Sequence, residues 1–295
     1  MNPPFIISAS RRTDLPAFYS EWFIHRIREG YLKVRHPFSR KEILVSLKPE
    51  DVVAIVFWTK NFEPMAKYLD ELEQKGFFYL IHYTITGLGA DFEPRVPEPE
   101  KSVALFHQLS GRIGKERMLW RFDPMVLTEK IGGMETIARF EKLLSKLSGS
   151  TTRIYFSFVQ NYARVKRRIK TYEQSAKDKI LDPDLELRFR MSRNLAEPAR
   201  AAGITIYSCC QPELAGFGIE PAHCIDRQLI SRLSRKNFSS KPSPTRESCG
   251  CDFSLDIGAY DTCPHLCWYC YANSHPALVR KNFSAHRFQG EFLVE

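Results

Sequence analysis

The chain has 295 residues, 43% of them hydrophobic, and carries 43 Lys and Arg against 34 Asp and Glu, a formal charge of +9. That composition points to a folded globular protein with one large domain or two small ones, and no apolar run reaches the roughly eighteen residues of a membrane span. The start, 1–10, lacks the charged and apolar regions of a signal peptide, so the expected place is the cytoplasm with no membrane partner.

In chain order, short apolar runs rich in β-branched and aromatic residues alternate with longer stretches of helical period. Strands are expected at 5–10, 52–58, 77–85, 118–122, 153–159, 204–208 and 253–258, with helices at 16–29, 64–75, 101–113, 131–147 and 187–202 between them. Gly30, Gly76, Gly114 and Gly203 sit where those helices should stop. The alternation predicts an α/β class, with parallel strands and crossover helices forming a partial or complete (β/α) barrel of TIM type. These repeats occupy 1–233, a segment of linker composition follows at 234–248, and a cysteine-rich tail at 249–295 is too short for its own core and should pack into the same domain.

The expected strands end in polar clusters: Arg11-Arg12-Thr13-Asp14, Thr59-Lys60-Asn61, Thr84 to Gly87, Arg121 to Pro124 and Gln160-Asn161. In a parallel barrel these positions share the rim where such folds build their sites. Asp14 before Leu15-Pro16 also reads as a helix N-cap. The positive balance favours an anionic partner, a small molecule or nucleic acid, and Lys166, Arg167, Arg168 and Lys170 crowd one helical stretch that suits phosphates or is simply a solvated face.

All eight cysteines lie after position 208: Cys209, Cys210, Cys224, Cys249, Cys251, Cys263, Cys267 and Cys270. In a reducing compartment such segregation argues for metal ligation rather than disulfides. Cys263, Cys267 and Cys270 form C-x3-C-x2-C, and three thiolates from one loop hold three irons of a cubane while leaving the fourth open. Asp256, Tyr260 and Asn273 flank the triad and suit a supporting role in orienting it, although Asn273 before Ser274 also reads as a helix cap. Of the other five cysteines, Cys210, Cys224, Cys249 and Cys251 suffice for a second 4Fe-4S cluster with Cys209 spare, although Cys209 and Cys210 are interchangeable at this level; a structural zinc or unligated buried thiols are the alternatives.

The triad, with Tyr269 before its last cysteine, resembles the radical S-adenosylmethionine superfamily, and Tyr271 after it resembles the spore photoproduct lyase branch. Ser8-Ala9-Ser10-Arg11-Arg12-Thr13-Asp14, Phe57-Trp58-Thr59-Lys60-Asn61 and the C-terminal triad together resemble an uncharacterised family of unknown function with radical-SAM-like cysteines at its C-terminus, a likeness that spans most of the chain. The resemblance implies a 4Fe-4S cluster, S-adenosylmethionine, a 5'-deoxyadenosyl radical and an electron donor such as flavodoxin or ferredoxin. If the chain is such an enzyme, Tyr269, Thr59, Asn61 and Thr84 are expected at the cofactor, and their placement at the strand ends makes Arg11, Arg12, Lys60 and Arg121 available for anionic groups of a substrate, a nucleotide or nucleic acid first, although Arg and Lys at strand ends also form structural ion pairs. The triad follows the last expected strand rather than the first, which a circular permutation explains, and no contiguous Gly-Gly-Glu segment is present.

Two other classes remain open. A zinc site joining the triad to His265 or His275 would make a nucleic-acid-binding module without catalysis, and closed clusters would make a redox or sensor protein.

Overall fold

A computed structural model describes residues 4–160 and 162–294, so Asn161 lies outside the described residues. In chain order the elements are β1 (Phe5–Ala9), α1 (Leu15–Phe18), α2 (Ser20–Glu29), β2 (Tyr31–Arg35), β3 (Glu42–Ser46), β4 (Val52–Thr59), α3 (Glu63–Ala66), α4 (Leu69–Gln74), β5 (Tyr79–Thr84), α5 (Pro99–Ile113) and β6 (Met118–Met125). There follow β7 (Leu127–Thr128), α6 (Gly133–Leu147), β8 (Arg153–Phe158), α7 (Ala163–Ala176), β9 (Ile180–Leu181), α8 (Leu185–Ala201), β10 (Thr205–Ser208), β11 (Ile219–Pro221), α9 (Arg227–Ser234), β12 (Leu255–Asp256) and α10 (Pro276–Ala285).

Eight strands form one sheet in the order β11-β10-β8-β6-β5-β4-β1-β12, and every neighbouring pair is parallel. The order is linear, with β11 and β12 at its two edges, so of the partial or complete barrel expected from the alternation the closed form is absent among the described residues. Three residues of β11 and two of β12 pair with their inner neighbours, and among the described residues no β11–β12 pairing closes the sheet.

Both faces of the sheet are covered, which is why its strands read as continuous apolar runs rather than alternating ones. Phe57, Tyr79, Ile81, Trp120 and Phe156 point to the side where Trp22, Phe23, Phe106, Phe140 and Leu195 of the crossover helices pack. Ile6, Val56, Leu80, Leu119 and Tyr155 point the other way and meet Leu229 and Ile230 of α9 together with Cys209, Cys224 and Cys251. Each such large side chain contributes about 1.5–3 kcal/mol on burial.

All seven expected strands are present, with ends shifted by a few residues. The expected helix at 16–29 is broken at Tyr19, whose φ of −134° is not helical and whose buried hydroxyl donates to Thr262 O at 2.6 Å. The one at 64–75 breaks between Ala66 and Leu69. The antiparallel β2–β3 hairpin, the short β7, β9 and β11, and helices α9 and α10 were outside the expected set. Segment 234–248 folds back onto the tail: Phe238 is buried, Ser243 N donates to Cys251 O and Phe253 N to Lys241 O, each at 2.9 Å. Among the described residues no helix is long and apolar enough to cross a membrane.

Candidate functional site

The triad loop leaves the carboxyl end of β12, which pairs with β1 in the register Ile7↔Leu255 and Ser8↔Asp256. Asp256 ties the two strand ends together. It accepts from Ser8 Oγ at 2.9 Å, Ser10 Oγ at 2.6 Å, Arg11 N at 2.9 Å and Gly258 N at 3.1 Å. Gly258 has no room for a side chain, since a Cβ there would stand 2.0 Å from Ser10 Oγ.

The loop itself is clamped through its backbone. Arg168 on α7 is buried and donates to the carbonyls of Leu266 (2.8 Å), Cys267 (2.9 Å) and Trp268 (3.3 Å). Asn273 Nδ2 donates to Cys263 O at 2.8 Å, and Trp268 N to Phe92 O at 3.0 Å. Arg168 therefore belongs to the site and not to a solvated face, whereas Lys166, Arg167 and Lys170 on the same helix are exposed.

Cys263 and Cys267 are buried and Cys270 is half-buried. Burial pushes the Cys263 thiol up, and the charges of Cys270 and Asp14 push it further. Burial likewise raises Cys267, against the pull of Lys60. Thiols so raised keep their protons against water, and a cation bound by the sulfurs would displace those protons to solvent.

Around the triad stands a network that sequence reasoning saw only in part. Asp14 caps α1 through Ala17 N at 3.1 Å, as expected. It also accepts from Thr59 Oγ1 at 2.8 Å and Lys60 N at 2.6 Å, and its Oδ2 lies 2.8 Å from His265 Nε2. His265 Nδ1 faces Arg95 O at 2.9 Å, so both ring nitrogens are engaged and neither is free to complete a zinc site. His275 serves as the N-cap of α10. Lys60 Nζ pairs with Glu93 at 2.7 Å, and Tyr269 donates its hydroxyl to the same carboxylate. Burial alone would raise Glu93, but the charge and hydrogen bond of Lys60, with hydrogen bonds from Tyr269 and Thr86, outweigh it and hold the carboxyl below its ordinary range. Glu93 lies in a stretch without a strand end or a motif, and nothing in the sequence marked it.

The remaining expected site residues divide. Arg12 donates to Gly258 O at 3.3 Å and lies over Tyr260, with Asp256 at 3.9 Å. Arg121 pairs with Asp123, lies over Trp58 and donates to Cys224 Sγ at 3.2 Å. Asn61 Oδ1 accepts from Glu63 N at 3.1 Å in a turn before α3, and Thr84 lines a cavity of about 20 Å³ with Thr86, Glu93 and Ser102. Arg11 donates to Ser254 Oγ at 2.8 Å, yet its Nη1 is buried with no hydrogen-bond partner among the described residues.

The other five cysteines, drawn from three separate segments, meet on the sheet face that α9 covers. Cys209 Sγ lies 3.5 Å from Cys224 Sγ and 3.9 Å from Cys210 Sγ. Cys249 lies beside Cys210 and Cys251, and Cys251 beside Cys224, so the five thiols gather in one ring-like group. Arg246 donates to Cys210 Sγ at 2.9 Å and to Cys209 Sγ at 3.5 Å. As they stand, no three His, Cys, Asp or Glu side chains among the described residues are arranged around a single metal ion.

Residues 6–272 match the family described as Domain of unknown function (DUF1848). The chain belongs to that family. The match takes in all but the first residue of β1, together with β12, the triad and the other five cysteines, so both cysteine groups lie inside the DUF1848 domain, and α10 lies beyond it. No curated protein and no solved structure matches this DUF1848 chain.

Proposed function

We propose that this protein is a radical S-adenosylmethionine enzyme, of permuted chain order, whose 4Fe-4S cluster is held by Cys263, Cys267 and Cys270. One observation carries the reading: three thiols on a single loop at the carboxyl end of an edge strand, with His265 fully engaged elsewhere, form a donor set that leaves one cluster position open. The permutation is supported by β12 pairing beside β1, since a first strand moved to the end of the chain would return to that place. When bound, such a cluster supplies the electron that cleaves the sulfonium of S-adenosylmethionine and so yields a carbon radical.

The chain's own residues orient the loop, exclude water and bind the substrate. Arg168 and Asn273 fix the loop carbonyls, and Tyr269, Lys60 and Glu93 wall it. The unpartnered Arg11 Nη1 suits an anionic group, because a buried donor without an acceptor is costly. Exposed Lys166, Arg167 and Lys170 stand on the helix that clamps the triad loop, which favours a nucleotide or nucleic acid as substrate. An external donor of flavodoxin or ferredoxin type would supply the electron.

Anaerobic reconstitution, iron and sulfide counts and electron paramagnetic resonance test the proposal. The expected result is about four irons assigned to the triad by their loss in Cys267→Ser, and a spectrum altered by S-adenosylmethionine. Zinc at the triad, or a spectrum indifferent to the cofactor, would overturn it.

A further inference from the structure

Five thiols packed on one another are an unusual filling for a sheet face. A thiol is a weak hydrogen-bond partner, and aliphatic side chains would occupy the same volume more simply. Cys209, Cys224 and Cys251 are buried, Cys210 and Cys249 are half-buried, and none is in a disulfide. They come from the end of β10, the segment after β11 and the segment before β12, so only the tertiary fold brings them together.

Charge points the same way. Arg121 and Arg246 aim guanidinium nitrogens at Cys224, Cys210 and Cys209. Arg121 is buried and already paired with Asp123, whereas Arg246 is half-buried and has no carboxylate partner among the described residues. Four thiolates around a divalent ion carry a charge of −2, which Arg246 offsets in part.

Distance selects the kind of occupant. A tetrahedral ion with metal–sulfur bonds of about 2.3 Å sets its thiolates about 3.8 Å apart, and of the proposed ligands Cys209 Sγ and Cys224 Sγ stand 3.5 Å apart. A cubane places irons and sulfides between its ligands and spreads them further.

We propose that Cys209, Cys224, Cys249 and Cys251 form a second metal centre that takes one soft divalent cation of zinc type, with Cys210 as a fifth thiol beside it. Cys210 is set apart by a left-handed backbone (φ 55°) and by lining a cavity of about 350 Å³ together with Gln160, Tyr162 and Arg246. Loading requires the cysteine χ1 angles to turn the sulfurs inward from their mutual hydrogen bonds, a small movement for side chains with one rotatable bond. Arg11 pairs with Asp256 at 3.6 Å, and Tyr271 donates to its carbonyl at 2.6 Å.

The inference does not rest on the triad reading, and the test separates the two. The full chain carrying Cys263→Ser, Cys267→Ser and Cys270→Ser together is purified, its zinc, iron and sulfide are measured, and after chelation it is titrated with Co2+. About one zinc per chain without sulfide, and the intense visible absorption of a tetrahedral cobalt thiolate, are expected. Adding Cys224→Ser should abolish both, whereas adding Cys210→Ser should leave them. A triad variant of wild-type circular dichroism with no metal and no cobalt spectrum would overturn the centre. Iron with matching sulfide would overturn the single-ion form, and so would loss of binding in Cys210→Ser with retention in Cys209→Ser.

Discussion

Asp14 Oδ2 and His265 Nε2 stand 2.8 Å apart although 251 positions separate them in the chain. The contact joins the end of β1 to the triad loop, and it sits beside Cys263, whose thiol Asp14 raises. The helix cap and the triad loop thus share one carboxylate.

Replacing Asp14 by Ala should therefore remove more than a cap. Thr59 Oγ1, Lys60 N and His265 Nε2 would lose their partner in a buried place, a cost of about 3 kcal/mol. Denaturant unfolding checks the loss, and iron content after reconstitution should fall with it. Asp14→Asn, which keeps an acceptor, should lose about half as much.

Arg168→Ala is expected to leave the sheet intact while loosening the triad loop, since three carbonyls lose their donor. Hydrogen exchange over 263–272 should accelerate while exchange in β4 and β5 stays unchanged. Arg168→Lys should not rescue it, because a single ammonium cannot reproduce the planar fork.

At Gly258 the expected effect is steric. Gly258→Ala puts a methyl group where Ser10 Oγ lies, so the strand ends must separate at a cost of about 1–3 kcal/mol. The double variant with Ser10→Gly should recover part of that stability. Thermal melts of the two proteins compare them, and no recovery would place the strain elsewhere.

The Lys60–Glu93 pair predicts a pH window for stability. Glu93 is held below its ordinary 4.5, so its contribution is complete above that pH and is lost as pH falls through the lower folded value. Lys60 is raised above 10.5 because Glu93 and Cys267 outweigh its burial, so its contribution is complete below that pH and is lost as pH rises through the higher folded value. Replacing both, Lys60→Met with Glu93→Leu, should flatten the acid and alkaline limbs of a stability–pH curve. Unchanged limbs would show that other groups carry them.

Much of this protein was legible in its residues before any coordinate. The seven main strands follow from β-branched and aromatic runs, and Gly30 and Gly114 end α2 and α5 with φ of 79° and 90°, a conformation that glycine adopts freely. The triad was legible because its three thiols lie within eight residues, so chain geometry alone keeps them together. The breaks at Tyr19 and between α3 and α4 were not, since helical period continues across them and only tertiary contacts interrupt the backbone.

What the sequence determined by itself, then, is local: strand and helix order, the helix stops, the cap at Asp14 and the C-x3-C-x2-C loop. Periodicity says which residues share a face, but not which loops meet when the sheet is complete. That was decided by the tertiary structure. It left the sheet open, placed β12 beside β1, turned Arg168 inward from a basic stretch and gathered five cysteines from three segments into one group. Contacts across such spans depend on how strands stack side by side, and no short-range pattern of residues records that.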